Sequence, residues 1–264
     1  MFENKVVVIT GAGSGIGRAL AVQFSEAGAQ LALSDINEAG LQDTLKQLAP
    51  GAQARTYRVD ASVRSEVFAH ADEVLRDFGA VHYLINNAGA TLVGSVANTD
   101  IDEYEWQLNI NLYGVLYGTK AFLPSMLRQA EGCIVNISSI FGLFAYPCQS
   151  AYNMSKFAVR GLTECLWQEL RGTGVRAVCV HPGGIKTNIE RAGRRVKLAG
   201  DLEGEFADKA EKLLVTPPEV CAADIIAGLR KRKKRILTGH LSRTSYWLVR
   251  LLPNAYPTVL RWLG

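Results

Sequence analysis

The chain is 264 residues long, 48% hydrophobic and 20% charged, with a net charge of +4. These values describe a globular chain of a length that one α/β domain often reaches, and they exclude a disordered or collagen-like one. The charge is uneven: Arg230 to Arg235 is six consecutive basic residues, and without them the chain carries −2, so it lacks the general basic character of a nucleic-acid binder.

Lys5-Val6-Val7-Val8-Ile9 is a short apolar run without alternation, which predicts a buried parallel strand. The turn Thr10-Gly11-Ala12-Gly13-Ser14-Gly15-Ile16-Gly17 follows, then a helix from Arg18 to Ala27 with Leu20, Ala21 and Phe24 on its apolar face, closed by Gly28. Glycine permits positive φ and close approach of a ligand to the backbone. The helix N-terminus offers free N–H groups to an anion, an arrangement that suits a dinucleotide pyrophosphate. The spacing departs from G-x-G-x-x-G, because Ile16 stands where that pattern has glycine; Gly11, Gly15 and Gly17 fit G-x-x-x-G-x-G instead. A purely structural turn is the other reading of this stretch taken alone.

A second strand, Leu31 to Asp35, ends on an acid 24 positions after Gly11. A carboxylate there accepts hydrogen bonds from the adenosine ribose and repels a 2′-phosphate, which favours NAD over NADP. An ordinary strand-end or capping Asp is the alternative. A helix from Glu38 to Leu48, a strand from Arg55 to Asp60, a helix from Ser62 to Phe78 and a strand from Tyr83 to Asn86 continue the pattern. Repeated strand–helix units predict an α/β, Rossmann-like, doubly wound parallel sheet of about seven strands in a single domain.

One long helix is expected from Asp102 to Leu127, then a strand from Cys133 to Ile137 ending at Ser138-Ser139, and an apolar loop from Ile140 to Ala145. A helix from Ala151 to Arg171, a strand from Val175 to Val180 and a loop His181-Pro182-Gly183-Gly184 come next. Residues 188–213 are charged and read as an exposed, mobile excursion over the substrate. A helix from about Pro217 to Lys231 and a last strand from Ile236 to Gly239 complete the catalytic domain, 1–240, and 241–264 is an apolar extension. The five cysteines match no metal spacing, and Cys133 and Cys179 are expected as buried free thiols. A first strand at Lys5 leaves no room for a signal peptide, and no apolar run reaches the ~18 residues that span a bilayer, so a cytoplasmic enzyme is expected.

Tyr152 and Lys156 are four apart on a predicted helix and share a face. A phenol with a pKa near 10 is a poor acid–base group at neutral pH, and a neighbouring ammonium brings it down. Ser139, at the preceding strand end, can hold a substrate oxygen beside the Tyr152 hydroxyl. The glycine turn, Asn86-Asn87-Ala88-Gly89, Asn111, Ser139, Tyr152-x-x-x-Lys156 and Pro182-Gly183 with Thr187 resemble the short-chain dehydrogenase/reductase family, in the family's order and over residues 5 to about 240.

The resemblance implies Tyr152 as general acid/base, Lys156 as its activator and ribose ligand, Ser139 as the group orienting the substrate oxygen, and Asn111 as the holder of a water relay. It implies a cofactor site of Gly11, Gly13, Ser14, Gly15, Ile16, Gly17, Asp35, Ile36, Asp60, Ala61, Asn87, Ala88, Gly89, Tyr152, Lys156, Pro182, Gly183, Ile185 and Thr187. No metal is expected. Ser14 stands where NADP-preferring members carry a basic residue, which again favours NAD. The alternative, a dinucleotide-binding sensor or scaffold without catalysis, is disfavoured because such proteins lose the Tyr or Lys. The substrate is expected to be a hydrophobic alcohol or ketone, since Ile140, Leu143, Phe144 and Tyr146, with Leu92 and Val93, are apolar or aromatic.

A homodimer or homotetramer is expected, and no nucleic-acid partner. Two features lie outside the family pattern. The cluster Arg230–Arg235 is either a solvated helix end or a surface for anionic membranes. The tail from Tyr246 caps the pocket, packs between subunits, or makes peripheral membrane contact with Arg243, Arg250 and Arg261 toward headgroups.

Overall fold

In a computed structural model the first strand, β1 (Val6–Thr10), shows why the chain forms layers. Residues 1–187, 189, 193–196, 200, 204, 206 and 213–263 are described. Along a strand, successive side chains point to opposite faces. Val7 and Ile9 pack with Leu20, Phe24 and Ile225 on one face. Val6 and Val8 pack with Val74, Phe122 and Leu166 on the other. Both faces are covered, so the strand has no polar side and its sequence does not alternate.

After β1 come α1 (Gly15–Glu26), β2 (Gln30–Asp35), α2 (Glu38–Leu45), β3 (Ala54–Arg58), α3 (Arg64–Phe78) and β4 (Tyr83–Asn86). Then follow β5 (Leu92–Val93), α4 (Ile101–Leu108), a π-helical turn (Asn109–Tyr113), α5 (Gly114–Arg128) and β6 (Gly132–Ile137). A 3-10 turn (Ile140–Gly142), α6 (Ser150–Glu169), β7 (Val175–Gly183), β8 (Arg194–Arg195), α7 (Pro218–Arg230), β9 (Arg235–Gly239), α8 (Ser242–Leu251) and α9 (Tyr256–Leu263) complete the described elements.

Seven strands form one parallel sheet in the order β3-β2-β1-β4-β6-β7-β9. The order reverses between β1 and β4, which opens a crevice at the carboxyl ends of the strands, the usual ligand position in such sheets. β5 and β8 form a separate two-stranded sheet.

Several expected boundaries move. α1 starts at Gly15, inside the glycine turn, instead of Arg18. α2 stops at Leu45 and β3 at Arg58, so Asp60 lies beyond the strand. The single helix expected from Asp102 to Leu127 is interrupted by the π turn, which inserts one extra residue per turn without a sequence mark. β7 continues through His181-Pro182-Gly183, expected as a loop, because Pro182 and Gly183 pair with Thr238 and Gly239 of β9. β6 has already left β7 at Val180, so Pro182 sits where the strand has one neighbour and tolerates its missing N–H. Most of the 188–213 excursion lies outside the described residues; of its described part, Arg194–Arg195 forms β8 against Leu92–Val93.

The basic cluster is not one solvated run. Arg230 to Lys234 are exposed, but Arg235 turns inward and its guanidinium pairs with Glu164 at 2.6 Å. All five cysteines are free; Cys165 is exposed and the other four are buried, with Cys133 and Cys179 inside strands as expected. Among the described residues no helix is long and apolar enough to cross a membrane.

Candidate active site

The glycine turn is held against the end of β4 by polar contacts that a sequence pattern does not display. The Thr10 hydroxyl oxygen accepts the N–H groups of Asn87 and Ala88, each at 3.0 Å. The Asn87 amide donates to the carbonyls of Thr10 (2.9 Å) and Gly11 (3.1 Å). Backbones therefore approach closely. A Cβ on Gly17 would overlap the Gly11 carbonyl oxygen, and one on Gly11, whose φ is +66°, would lie 2.8 Å from the Ala88 Cα. Gly17→Ala is accordingly expected to cost about 1–3 kcal/mol of stability, the range for overpacking a close-packed site. Urea unfolding checks this, and an unchanged midpoint would refute the close-approach argument.

Asp35 ends β2 and faces the turn. Its Oδ2 accepts the Gly13 N–H at 2.8 Å and its Oδ1 the Asn37 N–H at 2.9 Å. Each carboxylate oxygen has a second lone pair, so the group retains capacity for hydroxyl donors. Arg18 reaches back to the carbonyls of Gly13 and Gly40, beside the same carboxylate.

A cavity of about 1020 Å³ runs along the carboxyl ends of the strands. Gly11, Ser14, Gly15, Ile16, Asp35, Ile36, Asp60, Ala61, Asn87, Ala88 and Gly89 line it, as do Ser139, Tyr152, Lys156, Pro182, Ile185 and Thr187, the last lying against Gly15. The groups read from the sequence are thus brought to one continuous space. Four are not on its wall. Gly13 and Gly17 lie behind the turn, Gly183 packs under the His240 carbonyl, and Asn111 sits behind Gly89. The α1 N-terminus, the glycine approach and Asp35 together fit a dinucleotide. Among the described residues no His, Cys, Asp and Glu are grouped to hold a metal ion.

Tyr152 and Lys156 stand on one face of α6, with the Lys156 nitrogen 5.4 Å from the Tyr152 ring centre. Lys156 is 3% exposed and donates to the Ile137 carbonyl at 3.0 Å. Burial pushes its pKa down to about 8, so it still carries its charge at pH 7. The Ser138 hydroxyl donates to the Lys156 carbonyl at 2.8 Å and fixes α6 to the end of β6. The Ser139 oxygen accepts the Phe141 N–H at 3.1 Å, which leaves its own proton to donate elsewhere.

Asn111 lies in the π turn and clamps Ala90. Its Nδ2 donates to the Ala90 carbonyl at 2.9 Å, and its Oδ1 accepts the Ala90 N–H at 2.8 Å. A Cβ on Gly89 would meet Asn111 Oδ1 at 3.3 Å and Lys156 Nζ at 3.6 Å, so both side chains converge on that glycine.

A buried chain beneath Ser139 was not legible in the sequence. Arg235 can only donate, so the 3.0 Å contact from its Nη1 makes His181 Nε2 an acceptor. The ring proton is then on Nδ1 and donates to the Ser139 carbonyl at 2.9 Å. Burial, joined by the charge of Arg235 and opposed by the hydrogen bond to Ser139, pushes the His181 pKa down to about 4, consistent with this neutral ring. A second buried link joins Asn86 to Asn136 at 2.8 Å and Asn136 to Thr163 at 3.0 Å. A polar residue inside each apolar strand run was the available signal.

The far end of the cavity is walled by Ile140, Phe141, Phe144, Tyr146, Phe206, Leu241 and Leu248. Leu143, Leu92 and Val93, expected there, do not line it. Leu92 packs with Ala151 and Val196, and Val93 with Cys148 and Phe206, in two small cores under the wall.

A family model described as short chain dehydrogenase matches residues 5–197. A Mycobacterium tuberculosis protein named SadH is 45% identical over 259 residues, covering 97% of this chain and 93% of its own. Dehydrogenase/reductase SDR family member 7B of Mus musculus is 35% identical over 96% of this chain and 79% of its own. Among solved structures, a short chain dehydrogenase/reductase from Burkholderia phymatum in complex with NAD superposes with a TM-score of 0.84 at 34% identity, over 89% of each chain.

Proposed function

The chain belongs to the short-chain dehydrogenase family and is an oxidoreductase of that family, and on this premise we propose that it interconverts a hydrophobic secondary alcohol and its ketone with NAD(H). The observation that carries the proposal is the convergence of Ser139, Tyr152 and Lys156 on a cavity whose far wall is aromatic and aliphatic.

When bound, the nicotinamide dinucleotide supplies hydride exchange at the substrate carbon. The protein supplies position and the proton. The Tyr152 hydroxyl gives a proton to the substrate oxygen in reduction and takes it back in oxidation. The Ser139 hydroxyl donates to the same oxygen and holds it beside Tyr152. The Lys156 ammonium favours the phenolate by its charge. Asn111, convergent with Lys156 around Gly89, is the residue to hold a water between the ammonium and solvent. The aromatic far wall excludes water and accepts an apolar substrate body.

Asp35 supports NAD over NADP, because a second anion beside its carboxylate is repelled. The NAD complex of the Burkholderia phymatum structure supports the same choice. The test is oxidation of NADH and NADPH against cyclic ketones and open-chain sugars. Consumption of NADH with the cyclic ketones is expected, and preference for sugars would overturn the substrate class. Asp35→Asn is expected to narrow the preference for NADH over NADPH by about tenfold or more, since it removes the repelling charge and keeps the shape. An unchanged ratio of kcat/KM for the two cofactors would remove Asp35 from the argument.

A further inference from the structure

Surface helices normally turn large apolar side chains inward and small or polar ones outward. α8 departs from this in part: Tyr246, Leu248 and Val249 are half-buried, but its most buried positions are serines and two of its largest apolar side chains face outward. Its buried residues are Ser242 and Ser245, while Trp247 is 58% and Leu251 73% exposed, with Leu252 exposed just beyond the helix. Ser242 is held inward by a hydrogen bond from its hydroxyl to the His181 carbonyl at 2.7 Å, which fixes which face of the helix points out. Trp247 and Leu251 are one turn apart and form a ridge. The exposed Arg243 and Arg250 flank it, Arg250 lying over the Tyr246 ring at 4.5 Å. On the other flank Thr244 and Leu248 line the far end of the cavity.

The stretch of chain that carries this ridge has charge of one sign. From Ile225 to the C-terminus the sequence holds nine Lys and Arg and no Asp or Glu. The exposed part of the basic cluster leads into the strand that α8 packs against, where Arg235 stands 5.6 Å from the Tyr246 ring.

We propose that α8 docks the protein on an anionic lipid surface, with Trp247 and Leu251 in the interface and the surrounding cations on the headgroups. A Trp and Leu ridge beside Arg side chains has the chemistry of an interfacial helix. A second copy of the chain is a poor occupant. A two-fold contact through this face would set the same patch against itself and bring like charges together. Docking also places the apolar end of the cavity, through Leu248 and Leu241, next to the lipid. The inference needs no catalysis and stands apart from the reaction proposed above.

The experiment is sedimentation of the full chain with phosphatidylcholine vesicles, with and without phosphatidylglycerol. The wild type is expected to sediment with the anionic vesicles and to be released by salt. Trp247→Ser with Leu251→Ser is expected to lower the partition coefficient at least tenfold, and Arg243→Gln roughly fivefold. Melting temperature and dinucleotide binding stay at wild-type values, because all three side chains are exposed. A wild type that remains in the supernatant overturns the proposal, as does a double variant that binds undiminished. A concentration-dependent dimer dissolved by the same double substitution also overturns it and assigns the face to a second copy.

Discussion

Tyr152→Phe is expected to lower turnover by about 10²–10⁴-fold while dinucleotide affinity stays unchanged. The phenyl ring keeps the packing: Tyr152 meets the Phe141 ring edge-on at 6.2 Å, a contact that Phe retains. Only the hydroxyl is lost, and with it the proton that the proposed mechanism exchanges with the substrate oxygen. Binding of the dinucleotide, read by fluorescence titration, separates this outcome from a collapsed site. Equal kcat values for variant and wild type with a ketone substrate would end the assignment of Tyr152 as acid/base. A loss of turnover accompanied by loss of dinucleotide binding would point instead to a structural role.

Lys156→Met is expected to cut turnover and yet raise the melting temperature of the unliganded protein at pH 7. The ammonium is buried, and its pKa falls from 10.5 to about 8 on folding. That shift corresponds to about 3 kcal/mol spent on keeping the charge in place. The methionine fills similar space, at a cost of about 1 kcal/mol for the Ile137 carbonyl left without its donor. The sign of the pH dependence follows. Between about pH 8 and 10.5 the unfolded state binds the proton that the folded state has released, so wild-type stability climbs relative to the variant over that window. Below pH 8 both states are protonated and the full penalty remains. Melting curves of the two proteins at pH 7 and pH 10 measure the difference; a gap that does not narrow with pH would contradict a buried, depressed Lys156.

The residues that gather at the candidate site were more legible in the sequence than the scaffold behind them. Gly11, Gly15 and Gly17 are set by steric demands that only one residue type meets, and Tyr152 and Lys156 by a helical repeat. Such constraints leave a local trace. The π turn at Asn109–Tyr113 left none, because its apolar spacing blends with the helices on either side. β7 ran on through Pro182 because β9 offered a partner 56 residues later, a fact that no local pattern contains. Arg235 was read with its five basic neighbours as a solvated helix end or a membrane-facing surface, and only the fold reveals that Glu164 and His181 draw it inward. The apolar residues of the tail were visible, but not that α8 would bury its serines and expose its tryptophan.

The contact from Arg235 to His181, beneath the Ser139 carbonyl, also sets an order of events during synthesis. Strands β1, β2 and β4, which frame the crevice, all lie in the first third of the chain. The support under Ser139 arrives only with β9, the last strand to leave the ribosome. At about 5–20 residues per second, about 8 to 30 seconds separate the two. The glycine turn and Asp35 are therefore made well before the support under Ser139, yet Phe122, Leu166 and Ile225, which cover the two faces of β1, also come later, so the sheet closes only as the second half of the chain is added.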